Sequence, residues 1–167
     1  MADPASTQAD QAQSMSGTHP PETVAATRQK VDGYLRQFFD GVEVGDGMWS
    51  LRYGSCVVNV RVDVFDEDSS VVHIESPVVT GASPSPELFK YVATSADDHE
   101  FGHLGVREEH DGTATITFGH SLLGEFLDPA ELRTAVVAVS FTADELDDML
   151  AAQFGGKVHD AAGNRPA

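Results

Sequence analysis

The stretch His99-Glu100-Phe101-Gly102-His103-Leu104-Gly105-Val106 decides the fold, because it can be read in two incompatible ways. As a helix, its first five residues match the H-E-x-x-H zinc-protease pattern letter for letter, with His99 and His103 as ligands and Glu100 as general base. That device needs two imidazoles four residues apart on one helical face, about 6 Å apart at Cβ, so that each reaches a zinc at about 2.0–2.1 Å. On a strand the two residues stand about 13 Å apart, too far to share an ion. The neighbours favour the strand. Gly102 and Gly105 each weaken a helix by about 1 kcal/mol. Leu104 and Val106 alternate, and Asp111-Gly112 then turns the chain into a second alternating run through Ala114, Ile116 and Phe118. The extended protease pattern also wants glycine and histidine where this chain has Val106 and Glu109.

Upstream of this hairpin, Val24, Val31, Tyr34, Leu35 and Phe38 recur at helical spacing between Glu22 and Phe39, and Gly41 stops the run. The period then changes to two. Trp49, Leu51 and Tyr53 alternate with Ser50 and Arg52, and Gly54-Ser55 permits a tight reversal. From Cys56 to Phe65 the row Cys56, Val58, Val60, Val62 and Val64 faces one way, with Asn59, Arg61 and Asp63 opposite. That pattern describes a sheet with one covered and one wetter face. Asp66 to Ser70 is a polar loop; Val72 and Ile74 carry the apolar side of a third strand, His73 and Glu75 the other, and Pro77 puts this strand near an edge.

Ser85 and Pro86 suit a helix start, followed by Leu88, Phe89, Val92 and Ala93 facing inward. Asp128-Pro129-Ala130-Glu131 opens a long final helix in the manner of a capping box. Its inward stripe is Leu132, Val136, Val139, Ala143, Leu146, Leu150 and Phe154, and Gly155-Gly156 ends it. Thr142 to Glu145 has the form of a second capping box, which marks Ser140 as a place for a kink or break. The element order α-β-β-β-α-β-β-α predicts an α+β domain: an antiparallel, twisted five-stranded sheet with helices packed on it.

Composition bounds the rest. With 167 residues, 41% of them apolar, the chain holds one ordinary core, predicted over 22–156. The first 21 residues and those from 157 to 167 are poor in apolar anchors and read as disordered tails. Neither a signal peptide nor an apolar run long enough for a membrane span is present, so the expected compartment is the cytoplasm. Against 10 Lys and Arg stand 27 Asp and Glu, a formal charge of -17, which repels nucleic acid and anionic lipid. The acid runs at 63–68, 97–100 and 144–148 read as solvated loops and an outer helix face; their sharper use is a docking field for a basic or amphipathic peptide. Cys56 sits in a valine row and reads as a small buried hydrophobe.

No reactive constellation emerges. His73, His110 and His120 are scattered over strand or turn positions, where pH sensing is their one special use. Ser121-Leu122-Leu123-Gly124 does not form a nucleophile elbow, no phosphate loop appears, and Asp63, Asp66 and Asp68 lack the glycine and distal glutamate of a calcium loop. Catalytic residues, metal ligands and cofactors are therefore expected to be none.

The element order resembles that of actinobacterial YbjN-domain proteins. So do Phe101-Gly102-His103-Leu104-Gly105-Val106, the run from Phe118-Gly119-His120 through Gly124-Glu125-Phe126-Leu127-Asp128, and the Ala143-Asp144 and Phe154-Gly155-Gly156 tail. Those proteins are in turn similar to class I type III secretion chaperones. The resemblance spans roughly Pro20 to Gly156, and its second half is the more specific. It implies a helix-flanked, twisted antiparallel sheet, homodimerisation, binding of peptides or partner proteins without ATP, and no catalytic residues.

The leading expectation is therefore a non-enzymatic peptide- or protein-binding module, chaperone-like or regulatory, acting as a homodimer. Candidate contacts are Val57, Asn59, Arg61, His73 and Glu75 on the wetter sheet face, with Phe89 at a dimer interface. The alternatives are a zinc metalloprotease-like site at His99-Glu100-Phe101-Gly102-His103 and a scaffold whose only activity is dimerisation.

Overall fold

The fold is that of a computed structural model, which describes residues 22–54, 56–95, 98–160 and 163–166. The N-terminal tail expected over 1–21 lies outside the described residues. In chain order the elements are α1 (Glu22–Phe38), β1 (Glu43–Gly45), β2 (Met48–Tyr53), β3 (Cys56–Val64), β4 (Ser70–Ala82) and α2 (Pro86–Thr94). They continue with β5 (His103–Glu108), β6 (Ala114–Leu123), α3 (Pro129–Phe154), β7 (Lys157–Asp160) and β8 (Gly163–Pro166). One antiparallel sheet runs β1-β2-β3-β4-β6-β5, with β7 pairing β4 and β8 pairing β7. The α+β class and the order of the three expected helices and five expected strands hold.

Alternation explains why the sheet is one-sided. Cys56, Val58, Val60 and Val62 on β3 and Val72 and Ile74 on β4 are buried together with Ile116 and Phe118 on β6. Over them lie α1 and α3, which also touch each other. Residues of the opposite parity, such as Asn59 and His73, face away from this core. All seven residues of the expected α3 stripe face it: six are buried and Leu146 packs partly buried against them.

The structure corrects several expectations. Among the described residues the sheet has eight strands, not five. Strand β1 is a three-residue partner of β2 across the Asp46-Gly47 turn, where both residues have positive φ, 50° and 78°. The segment expected as a C-terminal tail holds β7 and β8, because Val158 finds a place in the core and Gly156, at φ 94°, lets the chain double back onto β4. Pro77 is not on an edge strand, since β4 lies between β3 and β6. Its missing N–H is nonetheless tolerated for the expected reason: the β3 ladder ends at the Asn59–Glu75 pair, and the register shifts between Pro77 and Val79. Strand β5 begins at His103, after a bend at Glu100 and Phe101. No break occurs at Ser140. Its hydroxyl donates to the Val137 carbonyl at 2.9 Å, and the buried residues Val136, Val139, Ser140 and Ala143 hold the helix continuous where the Thr142 cap pattern would interrupt it. On α2, Ser85 caps through the Leu88 amide (3.2 Å) and Leu88 is buried, but Phe89 and Ala93 turn outward.

The link from β6 into α3 is fastened to the start of β4. Glu125 accepts from the Ser70 amide (2.7 Å) and hydroxyl (2.8 Å), Ser70 meets Thr27 of α1 at 2.8 Å, and Gly124 donates to the Ser70 carbonyl at 2.9 Å. Burial by itself would raise the Glu125 carboxyl, but the bonds from Ser70 outweigh it and hold the group below its usual range. A Cβ on Gly124 would lie 2.2 Å from Ser70 Oγ and 2.6 Å from Thr27 Cγ2. Gly124→Ala is therefore expected to cost about 1–3 kcal/mol in urea unfolding. Stability contributed by a lowered carboxylate is complete above its ordinary value of 4.5 and lost as pH falls through the folded value. Glu125→Gln should accordingly flatten the acid limb of stability against pH, measured by urea midpoints; an unchanged limb would contradict this reading.

Candidate functional site

The face of the sheet turned away from α1 and α3 brings the five sequence-expected contacts together. Pairing puts Arg52 opposite Val57, Asn59 opposite Glu75, and Arg61 opposite His73. Because residues two apart on a strand share a face, Val57, Asn59 and Arg61 on β3 and His73 and Glu75 on β4 form one contiguous patch. Strand β6 extends it, with Ser121 opposite His73 and Gly119 opposite Glu75.

Side-chain contacts knit this patch. Ser50 Oγ donates to Asn59 Oδ1 at 2.7 Å. Arg61 Nε lies 2.6 Å from Asp63 Oδ2, His73 Nδ1 lies 2.9 Å from Ser121 Oγ, and His73 Nε2 lies 3.7 Å from Asp63 Oδ2. Ser121, His73 and Asp63 thus stand in line across three strands, a nucleophile beside a base that the sequence reading did not find. Asp63 had been placed on this face by its alternation; Ser121 joins it only through the β4–β6 pairing, which no local pattern reveals. The line does not form a relay. At 3.7 Å the carboxylate is beyond hydrogen-bonding reach of the imidazole and is committed to Arg61 instead. With His73, Asp63 and Arg61 side chains 39%, 41% and 57% exposed, the array offers donors and acceptors to a ligand lying on the sheet.

The H-E-x-x-H segment is not helical. A bend covers Glu100 and Phe101, Gly102 sits at φ 86°, and His103 opens β5 opposite Gly119. The His99 ring packs edge-on against Phe118, centroids 5.1 Å apart. The helical face on which that motif converges its two rings is therefore absent from this segment. Among the described residues no group of three or more His, Cys, Asp or Glu is placed to hold a metal ion. An open cleft of about 420 Å³ near the β5–β6 turn is lined by Glu109, Asp111, Thr113, Thr115 and their neighbours. Its carboxylates already serve the turn. Glu109 is held below its usual range by the Thr115 hydroxyl (2.7 Å) and then Arg107, and Asp111 by the hydroxyl and amide of Thr113. Phe89, the expected dimer contact, is 41% exposed on α2. Among the described residues no helix is long and apolar enough to cross a membrane.

A family model described as T3SS (YopN, CesT) and YbjN peptide-binding chaperone 1 (TY-Chap1) matches residues 25–162. The chain belongs to the TY-Chap1 family. The resemblance carried by the Phe101–Val106 and Phe118–Asp128 stretches is thereby confirmed at the level of family. Among solved structures, the one titled Crystal Structure of the ExsC-ExsE Complex contains a chain similar in fold, with a TM-score of 0.55 and 15% identity, covering 77% of this chain and 96% of that one. An uncharacterized protein from Methanothermobacter thermautotrophicus matches with a TM-score of 0.49 and 12% identity over 77% of this chain and 99% of that one. No curated protein matches the sequence.

Exposed ion pairs contribute little to stability, typically below 1 kcal/mol. For this TY-Chap1 chain, Arg61→Ala is therefore expected to leave the urea midpoint nearly unchanged. A midpoint shift as large as that of a core truncation would show that the patch serves folding and not an external ligand.

Proposed function

We propose that this chain is a non-enzymatic, cytoplasmic peptide-binding module that acts as a homodimer and holds an extended segment of a partner protein on the uncovered face of its sheet. One observation carries the reading: α1 and α3 cover one face, and the other presents Val57, Asn59, Arg61, His73 and Glu75 in contiguous register, Arg61 exposed and the other four half-buried. Membership of a family described as peptide-binding chaperones supports it, as does the likeness to a chain whose structure is titled as a complex. An extended segment can lay alternate side chains over such a face or pair with a sheet edge; β5 and the β6 residues beyond its pairing with His103 offer edges. Phe89 and Ala93, four residues apart on the outward side of α2, supply an apolar stripe suited to a two-fold contact with a second copy.

The test uses fluorescent 12-residue peptides selected from a random display library on the full chain. Arg61→Ala and His73→Ala should each weaken binding about tenfold, a loss of about 1.4 kcal/mol, without altering the fold. Peptides that bind both variants as tightly as the parent would overturn the choice of face. Phe89→Asp should shift light scattering from dimer to monomer; a parent protein that is already monomeric, or a variant that stays dimeric, removes α2 as the interface.

A further inference from the structure

The H-E-F-G-H segment, which the peptide-binding reading leaves unused, is interleaved with β6 in a reciprocal way. His99 of the segment packs on Phe118 of the strand at 5.1 Å and 83°, and Phe101 of the segment packs on His120 of the strand at 6.0 Å and 86°. Each partner thus contributes one imidazole and one phenyl ring, two residues apart. Between them the backbone is pressed flat: a Cβ on Gly102 would lie 2.6 Å from the Gly119 carbonyl oxygen and 2.8 Å from the Phe118 ring, and Gly102 has the positive φ of 86° that glycine allows. Phe118 has no exposed surface, and His99 and Gly102 form part of its cover.

We propose that residues 98–103 are an acid-released strap, clasped over β6 by these two imidazole–phenyl pairs and let go when the His120 imidazole beneath it is protonated. His120 is the trigger. It stands opposite Ile74 on β4, feels the charges of His103 on β5 and Glu131 on α3, and packs against Phe101 of the strap. Burial disfavours its cation most, the nearby His103 adds like-charge repulsion, and Glu131 opposes both more weakly, so its pKa lies below the ordinary 6.5. For a base so shifted the clasp is unpenalised above pH 6.5 and is lost as pH falls through that value toward the folded pKa. Release uncovers the Phe118 ring and adds an aromatic surface to that already offered by Phe101, which is 49% exposed.

Solution NMR of the full chain at about pH 7.5 and about pH 5 tests this, since histidine titrates between them. Ring-to-ring NOEs between Phe101 and His120 and between His99 and Phe118 should fall at least severalfold at the lower pH, with the midpoint of the His120 Cε1 titration. His120→Phe keeps a ring and removes the proton, so its Phe101 contacts should persist at both pH values. NOEs in the parent that do not change, or that fall equally in the variant, would overturn the proposal. Should that variant fail to fold, the parent alone decides: Phe101 ring shifts that track His120 support the strap, and shifts that ignore its titration refute it.

Discussion

The rest of the molecule depends on the register of β4. This strand pairs with β3, β6 and β7, so its alternation is imposed on strands on both of its sides at once. With Val72 and Ile74 committed to the core under the helices, His73 and Glu75 have to face the other way, and Arg61 and Ser121 are carried opposite His73. A slip of one residue would bury the imidazole and expose the valine, a cost that fixes the pairing and hence the polar patch. The patch is therefore as well positioned as the core, although its own contacts contribute little to stability. The fastening of Ser70 to Glu125 and Thr27 sets where β4 begins and ties it to α1 and the start of α3.

The electrostatics fit an association surface. On a chain with a formal charge of -17, the open face mixes Arg52, Arg61 and His73 with Asp63 and Glu75, so it is far less one-sided in charge than the protein as a whole. In the proposed binding mode the overall field steers a partner and this face bonds groups of either sign. That separation between long-range attraction and local recognition suits a module that accepts an extended segment whose main chain supplies much of the contact.

Much of this was legible in the sequence, for identifiable reasons. The Cys56–Val64 row alternates over nine residues, which predicts both the strand and which residues lie on its open side. Glycines at 102 and 105 and the Asp111-Gly112 turn were enough to reject a helix at the paired histidines. What escaped was non-local. Strands β7 and β8 were hidden because Val158 is a single apolar residue in a polar stretch, and its burial becomes visible only once β4 is seen to extend past β3. Ser121 joined the patch through the pairing of β4 with β6, elements separated by α2 and β5. Pro77 misled about topology because an unpaired stretch can occur inside a central strand wherever its neighbour is shorter. Phe89 was assigned to the core by helical periodicity, whereas a nine-residue helix packed along one side buries little beyond Leu88.

The central claim is that the uncovered sheet face is where a partner segment lies. Methyl NMR of the full chain titrated with a library-selected peptide addresses it directly, since Val57, Val71 and Leu123 report on that face while Val136, Val139 and Leu150 report on the helical side. Shifts concentrated on the first set are expected. Shifts confined to the second set, or to the outer surfaces of α1 and α3, would contradict the account.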